Sequence, residues 1–316
     1  MKGISRRDFL SGAGCGTAAA ILCSRGRSAA AAERRLKLAL SPGSIGVSVS
    51  QMDAIDLAQK HGFEAVEANG GYLVSLPDAQ LQDLVGQLKS KGIAWSAAGL
   101  PVDFRQDEAK FNDGMEALRK MAPVLQKAGV TRVTTWVMPC HRQLTYLENF
   151  KLHATRLRAA ARVLVDHGQR FGLEYVGTQS LRNSQKFPFL HTMAETRELI
   201  DAIGTGNVGF VLDSWHWWNA GETADDILAV KNQDIVSVDL NDAPAGIPRE
   251  QQIDGQRELP AATGVIPVAS FLNALLKVGY DGPVRAEPFN KALNEMDNDA
   301  ACIATIAALK KACEKV

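Results

Sequence analysis

The 316-residue sequence lacks any excess of charge: 35 lysines and arginines stand against 35 aspartates and glutamates. A balanced surface gives no reason to expect nucleic acid or anionic lipid as a partner. Cysteine is scarce too. Of the five, only Cys140, Cys302 and Cys313 lie beyond residue 32, and an odd, widely spaced set is not a disulfide framework. No GxGxxG follows the first strand-like segment, which argues against dinucleotide binding. Aromatics make up 6% of the chain, yet three of the five tryptophans crowd into "LDSWHWWNAG" (212 to 221).

At the N-terminus, "SRRDFL" (5 to 10) precedes a weakly apolar run and then small residues, the layout of a signal peptide. Arg6 and Arg7, followed by Phe9 and Leu10, resemble the twin-arginine export signal. The run is broken by glycines and shorter than the roughly 18 residues that span a bilayer. Leu22 is too bulky before Cys23 for a lipoprotein signal. We therefore divide the chain into a signal peptide, 1–32, and a single domain, 33–316. That division implies the twin-arginine machinery as a partner, a periplasmic or exported location, and no membrane span in the mature chain. Removing the segment takes five basic residues and one acid, leaving a net charge of about −4. The remaining length suits one large domain better than two small ones, and the oligomeric state stays open.

Short apolar runs then alternate with amphipathic stretches. The strand-like runs are 36–40, 63–68, 93–99, 130–138, 171–177, 207–215, 234–240 and 283–289. Helical stretches such as "QMDAIDLAQKHG" and "ALRKMAPVLQKAG" end in glycine, as helix C-termini prefer. Eight strands alternating with eight helices predict a closed parallel (β/α)8 TIM barrel, whose active site sits at the C-terminal ends of the strands.

Late in those runs come Glu67 on strand 2, Glu174 on strand 5, Asp213 on strand 6, Asp239 on strand 7 and Glu287 on strand 8. Carboxylates in apolar strands are costly to bury without a compensating cation. Salt bridges to Arg182, Arg257 or Arg285 are one answer. Four acids converging at a barrel mouth are neutralised more completely by a single divalent ion, and all-oxygen ligation suits Mn2+ or Mg2+ better than Zn2+.

"LEYVG", "GFVLDSWHWWNAG", "SVDLNDAPAG", "RELPAATGVI" and "GPVRAEPF" occur in the order and spacing of the xylose isomerase-like barrels, a group of sugar isomerases and epimerases including inosose and ketose epimerases. The resemblance spans the mature chain and is sharpest from Phe171 to Phe289. It implies that Glu174, Asp213 and Glu287 ligate one divalent metal, that His216 contacts substrate, and that Arg257 faces it. The chain departs from the pattern at strand 7, where Asp239 stands in place of the family's histidine; aspartate can still ligate a hard cation.

Such a site implies an isomerase or epimerase acting on a free or keto sugar through an enediolate. Glu174 and Glu287, on different strands, are the expected pair that removes and returns the proton. Trp215, Trp217, His141 and Glu67 are further candidates for substrate contact, the indoles because aromatic faces suit sugar C–H surfaces. Gly177 is expected to let the chain turn off strand 5. Two other readings compete. One is a catalytically silent periplasmic sugar-binding or accessory protein, motivated by Asp239. The other is an endonuclease IV-like phosphodiesterase, disfavoured because "SAAGLP" and Asp239 lack the histidines a three-metal cluster needs.

Overall fold

A computed structural model describes residues 36–314 and residue 316; the export signal expected over 1–32 lies outside them. Eight strands form: β1 (Lys37–Leu40), β2 (Ala65–Ala68), β3 (Ala94–Gly99), β4 (Arg132–Val137), β5 (Arg170–Tyr175), β6 (Val208–Asp213), β7 (Ile235–Leu240) and β8 (Pro283–Ala286). They pair in parallel, each with its neighbours in the chain, and β8 closes onto β1. A main helix follows each strand: α1 (Gln51–His61), α2 (Asp78–Ser90), α3 (Glu108–Ala128), α4 (Tyr146–Asp166), α5 (Met193–Ile203), α6 (Ala224–Leu228), α7 (Val268–Lys277) and α8 (Asn298–Cys313). This is the expected (β/α)8 barrel, and residues Arg35–Val316 form one unit. Among the described residues, no helix is long and apolar enough to cross a membrane.

The pattern follows from burial. Each strand has one face inside the barrel and one under the helices, so β7, "IVSVDL", is buried at every position. Helices bury a single stripe: α3 turns Phe111, Met115, Leu118, Ala122 and Leu125 inward at helical spacing. Gly62 and Gly129 end α1 and α3 at φ of 78° and 79°, a conformation that costs glycine nothing.

Two local expectations are corrected at the mouth. The sixth strand stops at Asp213 rather than Trp215, because the Asp213 carboxylate accepts the Trp215 amide at 2.7 Å and caps a short helix, Ser214–Asn219. Gly177 makes no left-handed turn. Its need is space, since a Cβ there would lie 2.3 Å from the His216 carbonyl oxygen. That close approach seats the Ser214–Asn219 helix against the end of β5. Three more short helices, Gly70–Ser75, Gln179–Arg182 and Lys291–Asn294, also occupy strand-to-helix connections, as does an antiparallel pair, Cys140–His141 with Phe187–Pro188.

Candidate active site

Strand register assembles the acids. Asp213 pairs with Asp239 and Asp239 with Arg285 in one row across β6, β7 and β8, and Glu287 follows directly after β8. Glu174, near the end of β5, completes a cluster in which Glu174, Asp213, Asp239 and Glu287 each offer an oxygen within 4.8 Å of the others'. All four expected metal ligands therefore meet at one point.

Two guanidinium groups share that point. Arg285 grips Asp239 with two parallel bonds of 2.6 and 2.8 Å and reaches Glu287 Oε1 at 3.0 Å. Arg257 donates to Asp213 Oδ2 at 2.8 Å and to Glu287 Oε2 at 3.3 Å. It also donates to Asp254 Oδ1 at 3.0 Å and to the Asp254 carbonyl at 2.8 Å. The salt-bridge alternative raised by the sequence is thus realised for Arg257 and Arg285. Arg182 makes no ion pair with these acids among the described residues. Arg257, expected to face substrate, is instead almost fully buried, clasped by acids and overlaid by Phe289, which itself sits at φ 40°. A non-glycine residue held there marks local strain of the kind found at functional sites.

The surplus of negative charge survives this pairing. Six carboxyls, with Glu67 and Asp254 counted, face two guanidiniums. Burial raises the Glu174 carboxyl well above the usual range, and the neighbouring Glu287, Asp239 and Asp213 raise it further. Asp213 is pushed up to about 7, chiefly by burial, with Arg257 opposing and the adjacent acids adding. Glu287 is raised for the same reasons, partly offset by Arg285. Glu174 Oε1 is buried without any hydrogen-bond partner.

The donor set therefore fits a divalent cation. Four carboxylates converge, one oxygen among them is unpartnered, and their charges are incompletely matched. Glu174 is bonded to neither arginine, and Asp239 is the most tightly held of the four, by the two-bond pair to Arg285, whereas Glu287 takes single bonds of 3.0 and 3.3 Å from the two arginines. Asn241, just beyond β7, braces this arrangement. Its amide nitrogen donates to Asp213 Oδ1 at 2.9 Å, and its oxygen accepts from the Glu287 amide at 3.0 Å.

His216 lies in the cluster, 2% exposed, with Nε2 4.0 Å from Glu174 Oε1 and 3.9 Å from Asp213 Oδ2. Arg257 Nη2 approaches the same nitrogen at 3.3 Å, and a guanidinium can only donate, so Nε2 is the acceptor and Nδ1 carries the proton. Burial, reinforced by Arg257, drives its pKa down to about 3, so the ring is neutral.

The other candidates separate. Glu67 lines a cavity of about 680 Å³ beside the cluster, together with Ser41, Gln51, Arg285 and Glu287, and accepts a hydrogen bond from Ser41. Trp215 and Trp217 are corrected as sugar-facing surfaces, because both are fully packed. Trp215 donates Nε1 to Thr178 and lies beneath Arg257; Trp217 packs on Phe271 of α7 and donates to the Thr223 carbonyl. His141 is outside the acid cluster, on a separate cavity of about 340 Å³. Asp254 and Asn241 were missed. The only sequence signal for Asp254 is its spacing of three from Arg257, and Asn241 has none.

The model of the xylose isomerase-like TIM barrel family matches residues 55–312. An inosose isomerase of Bacillus velezensis is 24% identical over 243 residues, covering 74% of this chain and 82% of that protein. A xylose isomerase domain protein from Alicyclobacillus acidocaldarius shares the fold with TM-score 0.78 and 28% identity, over 89% of this chain and 99% of that one. A protein called IOLI, whose crystal structure holds a zinc atom, superposes with TM-score 0.74 at 21% identity over the same shares of the two chains.

Proposed function

The chain belongs to the xylose isomerase-like TIM barrel family, and from that premise we propose that it is a divalent-metal-dependent isomerase or epimerase of a free or keto sugar. The observation that carries this reading is the convergence of Glu174, Asp213, Asp239 and Glu287 within 4.8 Å at the strand ends. The inosose isomerase relative supplies the reaction class.

Glu174, Asp213 and Glu287 would hold the ion, with Asp239 staying paired to Arg285. Bound there, the ion would polarise the sugar carbonyl and stabilise the negative charge left when the adjacent C–H loses its proton. The hard carboxylate set favours Mn2+ or Mg2+. Glu174 is the base we assign. Its Oε1 is buried without a hydrogen-bond partner and neither arginine holds it, so it is free to accept a proton. It would take the proton to leave an enediolate, and Glu287, on another strand, would return one. Return to the same carbon inverts it, and return to the neighbouring carbon moves the carbonyl. Neutral His216 holds Arg257 in place through Nε2. The 680 Å³ cavity would receive the sugar.

The proposal includes export through the twin-arginine route. Folding before export would let the metal be loaded in the cytoplasm, where Cu2+ and Zn2+ compete less. Replacing both Arg6 and Arg7 by Lys should retain the protein in the cytoplasmic fraction.

The test is solvent deuterium exchange. Incubation with keto sugars in deuterated water should give metal-dependent C–H exchange that Glu174→Gln or Glu287→Gln abolishes. Absence of exchange across keto-sugars and inososes in metal-loaded wild type would defeat the reading. A second reading, a non-catalytic sugar-binding protein, is favoured by the hold of Arg257 and Arg285 on three of the four acids. It predicts sugar binding with no exchange and no bound ion.

A further inference from the structure

The cavity of about 340 Å³ that takes His141 away from the acid cluster has features the proposed reaction does not use. It is lined by the β4 residue Trp136, by Arg105, and by Asn149 and His153 of α4. Both α4 side chains are 2% exposed, and each keeps a buried atom without a partner: Asn149 Oδ1 and His153 Nε2. The His153 tautomer follows from its other nitrogen. Nδ1 lies 2.9 Å from the Asn149 carbonyl oxygen, which only accepts, so Nδ1 bears the proton and Nε2 presents a lone pair. Burial lowers the ring to about 4, so it stays neutral at ordinary pH.

Both residues line the cavity, and their two buried acceptors, on adjacent turns of one helix, receive no hydrogen bond from the protein. Leaving such atoms unpaired is unfavourable, and a ligand that brings hydroxyl donors relieves it. The rest of the lining suits a neutral ring. Arg105 is matched by Asp103 at 3.4 Å and is stacked 4.4 Å from the centre of Trp136, so the charges cancel locally. Trp136 remains 42% exposed, an indole surface for C–H groups. His141 accepts amides of Gln143 and Leu144 at Nδ1, which leaves its Nε2 as a hydrogen-bond donor.

The cavity also adjoins the reaction site. Trp136 is in register with Glu174 on the next strand, and side chains in register on parallel neighbours share one face of the sheet. We propose that this cavity is a second subsite for a neutral, hydroxyl-bearing ring, anchored by Asn149 Oδ1 and His153 Nε2 with Trp136 as its wall. The ligand class rests on the sugar reading above, but the subsite binds without turnover and can be tested apart from it.

The probe is methyl β-D-glucopyranoside, with D-glucuronate as a charged comparison, added to the full metal-loaded chain labelled with 5-fluorotryptophan. The Trp136 resonance, identified by its loss in Trp136→Phe, should shift saturably with the neutral probe and less with glucuronate. Asn149→Leu and His153→Phe should each weaken binding about fivefold, the loss expected for one hydrogen bond. Should His153→Phe fail to fold, Asn149→Ser, which removes the amide without adding volume, carries the comparison. Binding that persists when deuterium exchange is absent would leave the subsite standing and the reaction reading defeated. The subsite itself is overturned by no saturable shift in wild type, or by a shift insensitive to the Asn149 variants and lost in Glu174→Gln.

Discussion

The strand ends of β5 to β8 and the cavity beside β4 hold their polar groups in opposite ways. In the first, charge is crowded and nearly every oxygen is engaged: Asp213, Asp239 and Glu287 are all gripped by Arg257 or Arg285. In the second, the deepest polar groups are neutral and two of them are unpaired, Asn149 Oδ1 and His153 Nε2. Surplus negative charge calls for a cation. Unpaired neutral acceptors call for donors. One mouth thus presents a region shaped for ionic chemistry beside a region shaped for hydroxyl recognition.

The largest expected effect separates catalysis from stability within the charged half. Glu174→Gln should lower sugar C–H exchange by roughly 10²- to 10⁴-fold. Its melting temperature should hold or rise in metal-free protein, since a buried carboxyl repelled by three others has been made neutral. A matching fall in melting temperature would show that Glu174 is a structural ion-pair partner.

Next in size is Arg285→Met. It leaves Asp239, which is 0% exposed, without its guanidinium, and breaking a buried pair from one side costs about 3–5 kcal/mol. Urea unfolding should report that loss, and adding Asp239→Asn should return most of it. A loss under about 1 kcal/mol would mean that Asp239 finds another cation, which reopens it as a metal ligand.

The two regions should also differ in the sign of their pH response. Asp213 is raised from 3.8 to about 7 in metal-free protein, so its contribution to stability is present at low pH and lost as pH rises between those values. His153 is lowered from 6.5 to about 4, so its contribution is present above 6.5 and lost as pH falls toward 4. His153→Phe should therefore gain on wild type as pH drops through that window, by about 3 kcal/mol. Thermal melts in chelator from pH 4 to 7 measure both, and an unchanged difference between the two proteins would remove His153 from the account. The smallest effect is Glu67→Gln. Its side chain is 37% exposed and 3.8 Å from Arg285, so stability should change by less than about 1 kcal/mol. A raised KM would mark it as a sugar contact.

Legibility from sequence followed the same divide. The charged half was readable because acids inside apolar strands contradict their surroundings, and Glu174, Asp213 and Asp239 stand out in "FGLEYVG", "GFVLDSW" and "SVDLND". Their arginine partners were readable as residue types but not as geometry, since Arg257 reaches Asp213 across 44 positions. The end of strand 6 was misplaced because the Asp213 cap, a local bond, converts "SWHWWN" into a helix and sinks its tryptophans. Gly177 was explained by the wrong cause because the crowding atom belongs to His216, far along the chain. The neutral cavity was invisible. Asn149 and His153 sit at ordinary helical spacing, and an unpaired acceptor leaves no mark in sequence.

Metal content most directly tests the claim that the charged half is built around a cation. Elemental analysis of protein folded in the cell, wild type beside Asp213→Asn, should find one divalent ion per wild-type chain and much less in the variant. No bound divalent ion in wild type, together with a melting temperature unmoved by added Mn2+, would contradict it and leave the two arginines as the only cations the cluster holds.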